Sequence, residues 1–116
     1  MDDRKQSPLF TRTSDFLIWL LNHTGKFPKS ERFRMAKRLE DSAFRFYELL
    51  IEATRSTRRK RSLLIEADIE LEKLRLYIRM SQACKLTSQA QYHYAAGVLV
   101  EMGKLLGGWL KSIPEI

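Results

Sequence analysis

The chain holds one cysteine, Cys84, which excludes an intrachain disulfide and suits a reducing compartment. Glycine and proline are also scarce, at five and three in 116 residues. So few breakers cannot supply the turns of a β-rich or low-complexity chain, and a few long helices remain. No apolar run near the start approaches the roughly 20 residues that cross a bilayer; the longest there is Phe16 to Leu21. Met1-Asp2-Asp3 is acidic where a secretory leader is positive, and no small-residue cleavage site follows. A cytoplasmic protein with no membrane partner is expected.

Catalytic and metal chemistry are thinly provided for. A metal site inside a helical bundle wants Glu-x-x-His pairs, yet Ile69, Lys73 and Lys104 follow Glu66, Glu70 and Glu101 at that spacing. One cysteine and two distant histidines, His23 and His93, cannot close a tetrahedral zinc site. Cys84 and His93 fall on different helices and lack a third, orienting group. Gly107-Gly108 lacks the strand–turn–helix setting of a phosphate-binding loop and reads instead as a close approach between helices or subunits. No enzyme activity, metal or cofactor is expected, so His23 is assigned to a helix end and His93 to packing or an interface.

What is present is charge in one place. The net charge is +7, and residues 1–25 and 62–116 each balance to zero. The excess lies in residues 26–61, which carry twelve Lys/Arg against five Asp/Glu. Such asymmetry points to a positive face for nucleic acid or an acidic protein surface, with a merely solubilising helix face as the alternative. A 44% hydrophobic fraction beside 30% charged residues is ordinary globular composition and argues against disorder.

Apolar spacing predicts four helices. Residues 1–12 hold Pro8 and no apolar period, which predicts a loose arm ahead of one bundle domain over 13–113. Thr13 or Ser14 is placed to cap a first helix that is apolar almost all round from Phe16 to Leu21 and stops at Gly25. Ser30 is placed to cap a second helix whose stripe runs Phe33, Ala36, Leu39, Ala43, Phe46/Tyr47, Leu50 and Thr54. Five cations in residues 55–61 would repel one another in a continuous helix, so a turn is expected there. Leu64, Ala67, Leu71, Leu74, Ile78 and Ser81 then form a heptad seam, and Ser88 with Gln91 makes a capping box for a fourth helix through His93, Tyr94, Leu99 and Met102 to Trp109. Short connections make these antiparallel neighbours in an all-α, up-down-up-down bundle.

Phe44, Ile69, Leu76, Met80, Tyr92 and Leu99 fall outside the main stripes, which points to an oligomer contact. The aromatic residues mostly fit helical stripes and do not interleave with cations, so any nucleic-acid binding is expected through phosphates and without sequence preference.

Four segments in order carry a family resemblance: Phe27-Pro28-Lys29-Ser30-Glu31-Arg32-Phe33, Glu48 to Ala53, Ile69 to Arg75, and Gly107-Gly108-Trp109-Leu110. Over about residues 15–112 the chain resembles the accessory variability determinant (Avd) proteins of bacterial diversity-generating retroelements, related to four-helix proteins encoded in rRNA intervening sequences. The resemblance implies a homopentameric barrel with no activity of its own. It also implies a reverse transcriptase partner that copies template RNA into mutated cDNA. Candidate contacts with RNA, DNA or the transcriptase, chosen on chemistry, are Arg32, Arg34, Lys37, Arg38, Arg45, Arg55, Arg58, Arg59, Lys60, Arg61, Arg75 and Arg79. The alternative is the rRNA intervening-sequence type, with the same fold, an RNA or structural role and no transcriptase.

Overall fold

The structure, a computed structural model, describes residues 3–114. Four α-helices run α1 Ser7–Thr24, α2 Met35–Arg55, α3 Lys60–Ala83 and α4 Gln89–Ser112, with one-turn 3-10 helices at Arg4–Gln6 and Lys29–Glu31. Each helix packs on its chain neighbours and α1 closes on α4, which gives the antiparallel up-down-up-down bundle, 46 × 24 × 20 Å. No helix among the described residues is long and apolar enough to cross a membrane.

The seam of α3 is buried as its spacing predicts: Leu64, Ala67, Leu71, Leu74, Ile78 and Ser81 are all essentially inaccessible. It faces Leu39, Phe46, Leu50 and Ala53 of α2, and Leu17 and Leu20 of α1 join the same core. The box at the start of α4 is formed in both directions, Gln91 N–H donating to Ser88 Oγ at 3.1 Å and Ser88 N–H to Gln91 Oε1 at 2.8 Å.

Several boundaries differ from expectation. The arm expected over residues 1–12 is helical from Ser7, although Met1 and Asp2 lie outside the described residues. Pro8 occupies the first turn of α1, where no backbone N–H is required, so it starts this helix rather than breaking it. Leu9, Thr13, Phe16, Leu20 and His23 extend one buried stripe from there. Thr13 is therefore mid-helix, its hydroxyl donating to the Leu9 carbonyl, and neither it nor Ser14 caps anything. The helix is also less enclosed than expected, since Ile18 is 59% exposed and Leu21 too faces solvent.

Ser30 caps no long helix either. It lies within the 3-10 turn Lys29–Glu31, and Arg34 breaks the helical path with φ −115° and ψ −105° before α2 starts. Phe33 is thereby rotated off the stripe and stands 80% exposed. On α4 the buried stripe is Ala95, Val98, Leu99, Met102, Leu106 and Trp109, so Leu99 is core while His93 and Tyr94 are exposed. Open space surrounds the position of a Cβ at Gly107 and Gly108, so neither marks a close approach within the chain. Gly103 does: the Arg75 guanidinium lies against it.

The loop after α3 holds the chain's one non-glycine residue with positive φ among the described residues, Lys85 at 65°. A side chain there costs about 1 kcal/mol that glycine does not pay. Lys85→Gly is accordingly expected to stabilise the fold by about 0.5–1 kcal/mol, read as a rise in melting temperature. An unchanged or lower melting point would show that the Lys85 side chain itself contributes.

Candidate nucleic-acid interface

Helix α2 spans 21 residues, about 30 Å at 1.5 Å per residue, and it divides the basic stretch into two poles. At one end of the bundle, Arg32 and Arg34 precede α2, and Lys37 and Arg38 occupy its first turn, all exposed. Arg79, near the end of α3, and Lys85 are exposed at the same end. At the other end the expected turn between α2 and α3 is present, with Arg55, Arg58 and Arg59 exposed and Arg61 half-buried. The twelve candidate residues therefore form no single surface.

Ion pairing thins each group. Arg34 meets Glu31 at 3.4 Å and Lys37 meets Asp41 at 3.0 Å, each pair a turn apart on the chain; Lys37 and Asp41 are both exposed, whereas the Glu31 side chain is only 16% exposed. An exposed pair such as Lys37 with Asp41 is worth a few tenths of a kcal/mol, so it yields readily to a phosphate. Arg32, Arg38, Arg55, Arg58, Arg59 and Arg79 form no ion pair among the described residues. Arg45, midway along α2, is held by Glu52 at 2.8 Å. Arg75 lies in the seam between α3 and α4, donating to the Leu99 carbonyl at 3.4 Å and approaching Glu72 at 3.5 Å.

Lys60 does not belong with the others. It is buried at the start of α3, its ammonium 2.7 Å from Asp3 Oδ2 and 5.7 Å from the centroid of the Trp109 ring. A cation so enclosed holds the chain start to the base of the bundle and offers nothing to a polyanion.

The pole at the start of α2, called the α2 pole below, also contains an open groove of about 520 Å³ between the start of α2 and the end of α3. Phe33, Met35, Tyr77, Met80 and Leu86 form its apolar lining, and Glu31, Arg34 and Arg38 its charged lining. The loop that closes it is pinned from below by a buried polar chain. His23 Nε2 lies 2.8 Å from Thr87 Oγ1, Ser81 Oγ lies 2.8 Å from the same oxygen, and Ser81 donates to the Ile78 carbonyl. The His23 ring also stacks on Trp19 at 4.9 Å.

Burial, and secondarily the nearby Lys26 charge, pushes the His23 pKa below its ordinary 6.5. The unfolded chain therefore takes up this proton before the folded one does. Stability that is fully present above 6.5 is lost as pH falls from there through the folded-state value. Denaturation midpoints between about pH 7.5 and pH 5 should fall for the natural chain and fall less for His23→Gln. Equal slopes for the two would assign the acid sensitivity to other groups.

Two features of the site escaped the sequence pattern. Arg32-Phe33-Arg34 does interleave an aromatic with cations, but helical spacing assigned Phe33 to the core. The groove itself joins residues some fifty positions apart, and no local signal marks it. Cys84 lines the same groove and is exposed, while His93 is exposed on α4. No group of three or more metal-binding side chains exists among the described residues.

A family model described as bAvd-like matches residues 9–113. The fold is similar to the crystal structure of a protein of unknown function from the S23 ribosomal protein family of Bacteroides thetaiotaomicron. The two share 19% sequence identity and a TM-score of 0.68, over 92% of this chain and 95% of that one. At that identity the likeness shows the fold alone. No curated protein matches.

Proposed function

The chain belongs to the bAvd-like family, and from that membership we propose that it is the non-catalytic accessory protein of a diversity-generating retroelement, active in the bacterial cytoplasm. It binds the retroelement's reverse transcriptase and, through its basic surface, template RNA or cDNA without sequence preference. It acts as a homo-oligomer, which we take to be a pentamer. The carrying observation is the crowding, at the two poles of the bundle, of exposed arginines that form no ion pair among the described residues, a layout suited to holding a polyanion and a protein at once.

The apolar surface supports self-association. Ile65, Ile69 and Leu76 are exposed along the outside of α3, while Ile18, Leu21, Phe44 and Ile51 are exposed on α1 and α2. Scattered apolar residues are ordinary on a monomer, but Ile65, Ile69 and Leu76 share one face of α3, a repeat that a second copy can cover.

Capture of the cognate reverse transcriptase on immobilised protein, with nuclease treatment and at low and high salt, tests the reading. Nuclease-resistant, salt-sensitive capture is expected from direct docking on a basic face. Absence of capture in every condition would leave the rRNA intervening-sequence type of role in its place.

A further inference from the structure

We infer that the groove at the α2 pole is a base-stacking site for single-stranded nucleic acid, with Phe33 as the platform and Arg34 and Arg38 as phosphate contacts. The inference rests on the nucleic-acid half of the reading above and adds the strand form and the atoms that hold it.

Phe33 is the starting point because its exposure is costly. At 80% exposed it forgoes most of the free energy that burying such a ring returns. The backbone break at Arg34 puts it there, between two exposed guanidinium groups of the same segment. It lines a largely apolar groove of about 520 Å³, within the range of about 300–1,000 Å³ that takes an organic ligand of nucleotide size. Tyr77 supplies a second aromatic wall, and Met80 a polarisable one.

The cations of the lining select the occupant. Arg38 has no ion pair among the described residues, and Arg34 keeps a 74% exposed side chain against a 3.4 Å partner. Two guanidinium groups beside an apolar slot complement a ligand that is flat and apolar in one part and anionic in the next. That is a nucleotide within a strand: the base stacks, and its flanking phosphates meet the fork-shaped donors. A duplex cannot present this pair, because its base faces are covered by their neighbours. The same groove of a second copy, set against this one, would bring Arg34 and Arg38 against Arg34 and Arg38 and be repelled. Stacking accepts every base, so the site holds the strand without reading its sequence.

The test measures the anisotropy of fluorescently labelled oligo(rA) and of the same strand annealed to oligo(rU), with the full chain and its Phe33→Ala, Phe33→Trp and Arg34→Glu/Lys37→Glu/Arg38→Glu variants. Phe33→Ala is expected to weaken single-strand binding by about 5- to 100-fold and to leave duplex binding within about twofold. Phe33→Trp should retain single-strand binding, and neither single substitution should shift the melting temperature, since the ring packs little. The triple reversal should weaken both ligands.

If Phe33→Ala binds the single strand normally while the triple reversal does not, the stacking site is wrong and the basic-surface reading stands. Both variants binding as the natural chain does would sink both ideas. The inference is also overturned if the natural chain prefers the duplex. So too if Phe33→Ala spares RNA but loses transcriptase capture, which makes the groove a protein-docking site.

Discussion

Replacing Lys60 with alanine is expected to destabilise the bundle by about 3 kcal/mol and to lower its melting temperature by about 10 °C. The Lys60 side chain is 4% exposed and its Asp3 partner 16%. Removing one member of a buried pair leaves the other charge without a partner, which costs about 3–5 kcal/mol. Asp3 lies near the start of the described chain and can swing toward water, so the lower end of that range applies. Loss of the aliphatic stem beside Trp109 adds a packing defect, and Lys60→Met, which restores the stem alone, should fall between the alanine variant and the natural chain. Arg58→Ala and Arg59→Ala, on exposed neighbours of the same turn, should stay within about 0.5 kcal/mol. Transcriptase capture separates the residues in the opposite sense: Arg58→Ala and Arg59→Ala should each weaken it, most clearly at low salt, and Lys60→Ala should leave it unchanged where the fold persists. A Lys60→Ala melting point within about 3 °C of the natural one would mean that the pair with Asp3 does not hold in solution.

Lys60 illustrates where sequence pattern stops being informative. In the run Arg58-Arg59-Lys60-Arg61 the four residues are chemically alike, and only the start of α3 decides which one turns inward. The seam of α3 was legible because a single buried face repeats every three or four residues, and each of its six positions obeyed that repeat. Ser88 with Gln91 was legible because a capping box is a local hydrogen-bond exchange that needs no tertiary partner. Pro8 misled because proline starts a helix as well as stops one, and the difference lies in whether apolar spacing continues beyond it, as it does from Leu9. Phe33 misled for a related reason. Its distance from Ala36 matches a helical stripe, but the stripe exists only if the backbone between them is helical, and Arg34 interrupts it. Thr87, which gives His23 its buried partner, lies 64 positions away on the chain, and no spacing rule connects the two.

Reversing the α2 pole, with Arg34→Glu, Lys37→Glu and Arg38→Glu together, is expected to weaken binding to single-stranded RNA by about 100-fold near 0.1 M salt. Each phosphate contact on a single strand contributes about 0.7 to the slope of log affinity against log salt, so three contribute about 2. Between 1 M and 0.1 M salt that slope amounts to about two decades, and repulsion from the new carboxylates adds to the loss. The fold should survive, because the three substituted side chains are exposed and both pairs given up are local, although a carboxylate at position 34 faces the largely buried Glu31 and adds to the cost. The matching reversal of Arg55, Arg58 and Arg59 acts at the far end of α2, about 30 Å away, where the groove beside Arg61 is lined by Ile65, Leu110, Lys111, Ile113 and Pro114 and by no aromatic ring. A strand too short to span that distance reaches one pole at a time. With such a strand the α2-pole variant should lose RNA, and the opposite variant should keep RNA binding while losing transcriptase capture. Equal loss of RNA in both would mean one continuous electrostatic track along the bundle. RNA loss confined to the 55–61 pole would exchange the two assignments and leave the groove at Phe33 without a strand to hold.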